Sequence, residues 1–139
     1  MDGTTLNQKF AYAFGAVYVL VGLAGFAVTG GVGFASPDGN PLILFEVNPL
    51  HNIVHLAIGA AFLLGAKAGP MAARSTNMAI GAVYLLVGVV GLFIDRGAEY
   101  NLLALNMADN WLHLVSGAAA LGVATYAGKE MSASRRTAM

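Results

Sequence analysis

Four long apolar segments constrain the fold of this chain more than any other feature of its sequence. They are Phe10–Gly30, Pro49–Ala66, Met78–Ile94 and Trp111–Ala127. A helix that crosses the hydrocarbon core of a bilayer needs about 17 to 25 predominantly apolar residues, and each segment meets that length. Charged residues make up only 10% of the chain, against about a quarter of a soluble domain. We therefore predict an all-α integral membrane protein, a four-helix transmembrane bundle that forms one domain over residues 1–139.

The positions of lysine and arginine predict the orientation of these segments. Lys9 precedes the first segment, Lys67 and Arg74 lie between the second and third, and Arg96 alone lies between the third and fourth. The other cations follow the fourth segment and are Lys129, Arg135 and Arg136. Cytoplasmic loops carry the excess of Lys and Arg in membrane proteins. We therefore place both termini and the loop between the second and third segments in the cytoplasm.

The second half of the chain repeats the first half. "FGAVYVLVGLAGF" at Phe14–Phe26 matches "IGAVYLLVGVVGL" at Ile80–Leu92 almost residue for residue. "VNPLHNIVHLAIGAA" at Val47–Ala61 likewise matches "LNMADNWLHLVSGAA" at Leu105–Ala119. The chain therefore reads as two copies of a two-helix hairpin.

This duplication predicts a symmetry for the bundle. The first repeat covers residues 10–66 and the second covers residues 78–127, and a cytoplasmic tail follows over residues 128–139. Because each repeat holds an even number of spans, both enter the membrane in the same direction, which predicts a parallel arrangement with a pseudo-twofold axis along the membrane normal.

Glycines recur at matched positions in the first and third segments. Gly15 and Gly22 are seven residues apart, as are Gly81 and Gly88, so each pair lies on one helix face. Small residues let helix backbones approach closely within lipid, which predicts close helix packing along these faces. Tyr18 and Tyr84, its counterpart in the second repeat, lie too deep for the membrane interface. Each hydroxyl therefore needs a hydrogen-bond partner inside the bundle.

Ionisable residues concentrate at the outward ends of the second and fourth segments. His51 and His55 are four residues apart, so they share a helix face at about 6 Å along the axis, and Asp109 and His113 have the same spacing. If the two segments meet across the pseudo-twofold axis, these four side chains converge. Three imidazoles and one carboxylate suit zinc, iron, manganese or copper. Haem with His55 and His113 as axial ligands is a second interpretation.

Asparagines accompany these residues, and they are Asn48, Asn52, Asn106 and Asn110. An asparagine just ahead of an apolar run is an ordinary helix N-cap, and Pro49 suits a first helical turn. A structural hydrogen-bond network is therefore a third interpretation of the cluster, and proton or solute handling is a fourth. The outer loops carry leucine and phenylalanine beside glutamate and asparagine, and we expect them to fold over this cluster.

Three hypotheses of function follow from these interpretations. The first is a non-enzymatic membrane protein that acts as an accessory or interaction component, the second is a metal- or haem-binding membrane protein, and the third is a small transporter or proton-linked protein. We expect contact with the lipid bilayer and with a membrane-protein partner or a second copy of the chain. We expect no nucleic-acid partner.

Two strings in the chain resemble a known family. They are "FEVNPLHNIVHLAIGAAFLLG" in the first repeat and "ADNWLHLVSGAAAL" in the second. With these motifs the chain resembles the DUF4383 family of small bacterial four-span membrane proteins over most of Phe10–Ala127. The resemblance implies four helices and a membrane location, and with it we expect the protein to lie in the bacterial inner membrane. It implies no catalytic residue, ligand or partner.

Overall fold

Four helices and one short β-hairpin make up the computed structural model, which describes the backbone of residues 3–137 and the side chains of residues 3–128. In chain order they are α1 (Leu6–Val28), β1 (Asn40–Leu42), β2 (Phe45–Val47), α2 (Pro49–Ala68), α3 (Pro70–Gly91) and α4 (Met107–Thr137). Each predicted apolar segment lies largely within one helix. The predicted tail begins inside α4, and its last two residues lie outside the described part of the chain.

Asparagine side chains begin α2 and α4, as the sequence predicts. The Asn48 side chain accepts a hydrogen bond from the backbone N–H of His51 at 2.8 Å. At α4 the arrangement is reciprocal, because the Asn106 side chain accepts from the N–H of Asp109 at 3.0 Å and the Asp109 carboxylate accepts from the N–H of Asn106 at 3.1 Å. These bonds satisfy N–H groups that the helix itself leaves without partners. They also hold both helix starts in one conformation.

The third helix begins earlier than its apolar segment predicts. Met78 opens the apolar segment, whereas α3 starts at Pro70 and is separated from α2 by Gly69 alone. Gly69 has a φ of 123°, which glycine adopts at no steric cost, and Pro70 fits the first helical position. The polar turns ahead of Met78 are helical because they pack on neighbours, as Arg74 does by donating from Nε to the carbonyl of Ala124 at 2.9 Å.

The helices carry apolar side chains outward as well as inward. Helices α1, α2 and α3 are long and apolar enough to cross a membrane, whereas α4 is not among the helices that meet this requirement in the described part of the chain. Large apolar side chains face away from the bundle, with Leu20 65%, Leu86 63% and Val115 66% exposed. Such a surface suits lipid rather than water. The fold is that of a membrane protein.

Glycines let the helices of each hairpin touch backbone to backbone. A Cβ on Gly59 of α2 would lie 2.8 Å from the carbonyl oxygen of Gly15 on α1. A Cβ on Gly117 of α4 would lie 2.9 Å from the carbonyl oxygen of Gly81 on α3. Both distances are shorter than any ordinary carbon–oxygen contact, so only glycine fits at these crossings. The close packing predicted for Gly15 and Gly81 is confirmed, and their partners Gly59 and Gly117 were not predicted.

Aromatic side chains fill the centre of the bundle where the two hairpins meet. Tyr18 of α1, Phe62 of α2 and Tyr84 of α3 are buried together. The rings of Tyr18 and Tyr84 are 5.5 Å apart, and that of Phe62 is 6.1 Å from that of Tyr18. This core lies directly beneath the histidines described next.

Candidate functional site

The loop between α1 and α2 and the loop between α3 and α4 are tied to each other through the N-caps of α2 and α4. Besides capping its own helix, Asn48 donates from Nδ2 to the carbonyls of Leu102 at 2.8 Å and Ser36 at 2.9 Å. Asn106 donates from Nδ2 to the carbonyl of Leu44 at 3.0 Å. Each cap therefore bonds to the loop of the other helical hairpin, and the two loops close this end of the bundle together.

The loop between α1 and α2 folds back as a two-stranded antiparallel β-hairpin. Strands β1 and β2 pair in the register Asn40 with Val47 and Leu42 with Phe45. Arg96 of the other loop forms an ion pair with Glu46 of β2. The expectation that loop segments fold over the polar cluster agrees with this arrangement, although their strand pairing was not predicted.

The two histidines of α2 bond to each other inside the protein. Nε2 of His51 and Nε2 of His55 are 2.9 Å apart, and the residues are only 2% and 6% exposed. One ring donates and the other accepts, so at least one imidazole is neutral. Nδ1 of His55 is buried and has no hydrogen-bond partner among the described residues. Nδ1 of His51 is likewise buried and has no hydrogen-bond partner among the described residues.

Asp109 and His113 of α4, which correspond to His51 and His55 in the repeat, do not bond to each other through their side chains. Nδ1 of His113 lies 2.6 Å from the backbone carbonyl of Asp109. A carbonyl only accepts, so Nδ1 of His113 carries a hydrogen and donates it. The Asp109 side chain caps the helix ahead of the fourth apolar segment, and its burial raises the pKa of the carboxyl to about 7.

Tyrosines connect the histidines of the two hairpins. The ring of Tyr18 stacks on that of His55 with centroids 5.2 Å apart, and the ring of Tyr84 meets that of His113 edge-on at 4.8 Å. Tyr18 donates from its hydroxyl to Oγ of Ser116 at 3.3 Å. The predicted internal partner of the Tyr18 hydroxyl is therefore present, and the aromatic and imidazole rings form one continuous buried group.

The predicted convergence of four ligands on one metal is not seen. Among the described residues there is no group of three or more His, Cys, Asp or Glu side chains arranged to hold a metal ion. The reason lies in the partners already present: His51 and His55 bond to each other, while Asp109 is engaged in the start of its helix. The structure brings His51 and His55 together and gives Asp109 and His113 separate local partners.

Asn52 of α2 and Asn110 of α4 each pack against a glycine of the neighbouring helix. Asn52 donates from Nδ2 to Oγ1 of Thr29 at 3.0 Å. A Cβ on Gly25 would collide with the Asn52 side chain, and a Cβ on Gly91 would collide with that of Asn110. Glycine at these two places makes room for a buried amide on the neighbouring helix.

Two buried side-chain hydrogen bonds were not predicted from the sequence. Asn77 donates from Nδ2 to Oδ1 of Asn7 at 2.9 Å, and both side chains are buried at the end of the bundle opposite Asn48. Ser116, the partner of Tyr18, was also missed. Its signal is present in the repeat alignment, where Ser116 stands opposite Ile58.

Comparison with known proteins agrees with the resemblance that the two motifs indicate. A family model described as "Domain of unknown function (DUF4383)" matches residues 8–126. No curated protein and no solved structure matches the chain.

Proposed function

The chain belongs to the DUF4383 family, and from that premise we propose that it is a four-span protein of the bacterial inner membrane with a non-enzymatic role as an accessory or interaction component. One observation carries the proposal. Buried polar side chains at the outer end bond to one another, as His51 does with His55, and to the loops, as Asn48 does with Leu102. Such side chains close the end of a bundle rather than present a reactive group to a substrate.

The proposed architecture is a tandem duplication in which α4 is the fourth span. Matched contacts support it, because Gly59 meets Gly15 just as Gly117 meets Gly81. The start of α4 also resembles that of α2, with an asparagine cap whose amide reaches the opposite loop. Both termini then lie on the cytoplasmic side, where most of the cations fall.

Within this proposal the cluster of His51, His55, Asp109 and His113 is a structural hydrogen-bond network, supported by Asn48, Asn52, Asn106 and Asn110. A buried polar group that loses its partner costs about 1–3 kcal/mol. The network therefore stabilises one arrangement of the outer loops over others. The favoured arrangement is the one in which every cap finds its partner in the other hairpin.

Metal analysis and an absorption spectrum of protein purified in mild detergent test the structural role against the metal and haem alternatives. We expect His55→Ala and His113→Ala to lower the unfolding temperature and to leave metal content and spectrum unchanged. Leu64→Ala, which truncates an exposed side chain of α2, is the control. Stoichiometric metal or a Soret band that both histidine variants lose would overturn the structural role.

Single-cysteine labelling tests the topology, because the natural chain contains no cysteine. Asp38 and Glu99 lie in the two outer loops, and Lys67 lies near the α2–α3 connection; all three are exposed. Each is replaced by cysteine in a separate variant. A membrane-impermeant maleimide should label the first two in intact spheroplasts and the third only after permeabilisation. Labelling of Lys67→Cys in intact spheroplasts would contradict the proposed orientation.

A further inference from the structure

The tip of the β-hairpin is apolar and exposed. Leu42 of β1 pairs with Phe45 of β2, so the turn between the strands consists of Ile43 and Leu44 alone. These two side chains are 87% and 72% exposed. Two-residue hairpin turns are normally built from glycine, asparagine and aspartate. The hairpin tip, Ile43 and Leu44, therefore carries two large apolar side chains where a turn in water would carry small or polar residues.

The backbone of Ile43 adopts a conformation that is rare for isoleucine. Its φ is 62°, which lies in the left-handed region, where a β-branched residue is strained and glycine is not. Contacts within the protein do not offset this strain, because the Ile43 side chain is almost fully exposed. A strained residue at an exposed position indicates that its side chain makes a contact outside the chain.

The hairpin tip reaches the ends of the helices of the second repeat. Asn106 at the start of α4 donates from Nδ2 to the carbonyl of Leu44 at 3.0 Å. Leu44 also lines a crevice together with Gly91 and Leu92 at the end of α3. Helix α3 is long and apolar enough to cross a membrane. The tip therefore lies level with the end of a membrane-spanning helix.

The outward face of α3 stays apolar up to this level. Val83, Leu86 and Val90 lie three or four residues apart along α3, so they share one face of the helix, and all three are exposed. Phe93, in the turn that follows α3, is exposed as well. A surface of this kind suits lipid rather than water, so lipid contact extends along α3 to the depth at which Leu44 lies.

The start of α4 has the character of a membrane interface. Met107 and Trp111 are four residues apart on one face of α4, and both are exposed. Met107 lines the same crevice as Leu44, and tryptophan is enriched where membrane and water meet. Arg96, which also lines the crevice, forms an ion pair with Glu46 of β2. Apolar side chains beside charged ones are typical of a segment that lies in the interface, with its charges among the headgroups.

We propose that Ile43 and Leu44 insert into the adjacent leaflet of the bilayer and anchor the β-hairpin at the boundary between headgroups and acyl chains. The acyl chains provide the apolar cover that both side chains lack within the protein. Through the bond from Asn106 to Leu44, the anchored hairpin also holds the start of α4 at this depth. The proposal rests on the membrane placement proposed above, and it does not depend on the role of the histidines.

Fluorescence quenching tests the position of the tip. Ile43→Cys and the control Asp38→Cys, an exposed position in the same loop, each provide the only cysteine of the chain and carry the same environment-sensitive dye. Nanodiscs of phosphatidylethanolamine and phosphatidylglycerol hold one copy each, so a second copy is not available to cover the tip. At position 43 we expect quenching by lipids with a nitroxide high on the acyl chain and protection from aqueous iodide. At position 38 we expect the reverse.

Two outcomes of this experiment would overturn the anchor. The first is iodide quenching at position 43 that equals the quenching at position 38. The second is protection of position 43 that appears only in discs with two copies, because the cover would then be a second copy rather than lipid.

Substitution of Ile43 tests the anchor without a dye. Ile43→Asn introduces a residue that fits a left-handed turn better, whereas the control Ile43→Leu keeps a large apolar side chain. In nanodiscs, backbone amides of residues 40–47 should exchange hydrogen about tenfold faster in Ile43→Asn than in the natural protein, because the loss of one large apolar side chain from lipid costs roughly this factor. Ile43→Leu should keep the natural rate.

Unchanged or slower exchange in Ile43→Asn would overturn the anchor, because a better turn stabilises a hairpin that has no contact with lipid. Alkali extraction of the natural protein reports separately on the membrane placement. A protein that stays in the membrane after extraction but shows no quenching by lipid at position 43 has the proposed placement without the anchor.

Discussion

Replacement of Gly59 by alanine tests the backbone contact on which the first hairpin depends. The added Cβ would lie 2.8 Å from the carbonyl oxygen of Gly15 and 2.8 Å from the backbone nitrogen of Val19. Ordinary van der Waals contact begins at 3.4 Å, so the methyl group is about 0.6 Å too close to two backbone atoms. Because neither atom can rotate away, α1 and α2 must separate.

Overpacking of this kind costs about 1–3 kcal/mol. Alanine is the better helix former by up to about 1 kcal/mol, but helices in lipid remain formed when their packing is lost, so little of this gain offsets the cost. We therefore expect Gly59→Ala to lower the free energy of unfolding by about 1–3 kcal/mol. Gly117→Ala should have an effect of the same size, since its Cβ would lie 2.9 Å from the carbonyl oxygen of Gly81.

Reversible unfolding in mixed micelles of mild detergent and dodecyl sulfate, followed by circular dichroism and tryptophan fluorescence, measures these values. Gly122→Ala is the matched control, because a Cβ at this helical position meets nothing within 4 Å. It should be neutral or stabilise by up to about 1 kcal/mol. If Gly59→Ala proved as stable as Gly122→Ala, α1 and α2 would not cross at Gly59, and the packing described here would be refuted.

Four further substitutions test the outer end of the bundle. Asn48→Ala removes a helix cap and two hydrogen bonds to loop carbonyls, so the free energy of unfolding should fall by about 2 kcal/mol or more. Asn106→Ala should lower it by less, because the bond of Asn106 to the loop is exposed. Glu46→Ala should cost no more than about 1 kcal/mol, because its partner Arg96 is largely exposed, and a larger loss that persists in high salt would contradict this. Burial raises the pKa of Asp109 to about 7, so between about pH 4 and 7 the folded state holds a proton that the unfolded state releases. The free energy of unfolding of the natural protein should therefore fall, relative to that of Asp109→Asn, as pH rises from about 4 to 8. A difference between the two proteins that does not change with pH would contradict the shift.

Local sequence patterns predicted those parts of the fold that depend on neighbouring residues. The N-cap role of Asn48 follows from its position before Pro49 and an apolar run, and the packing role of Gly15 follows from its spacing to Gly22. Each needs only the geometry of a single helix. The early start of α3 was not predicted, since the turns ahead of Met78 are polar and are held helical by contacts with other elements.

The candidate site was predicted less completely for the same reason. The helical spacing of His51 and His55 is enough to place both rings on one face, and the rings do meet. The same spacing in α4 led to a different result, because the imidazole of His113 bonds to the backbone carbonyl of Asp109. Which of two available partners a ring takes depends on rotamer and neighbours, and spacing alone does not determine either.

The sequence by itself determined that this chain forms apolar helices of membrane-spanning length, where two of them begin, and which glycine faces are free of side chains. Those properties arise from hydrophobicity, helix periodicity and capping, which act within about four residues. Only the tertiary structure decided that Asn48 and Asn106 each bond to the loop of the other helical hairpin. The same holds for the contact of Asn7 with Asn77 and for a cavity between α1 and α4. These depend on which helices approach one another and how closely, because a gap between two helices is set by the side chains of both and by the loops that join them.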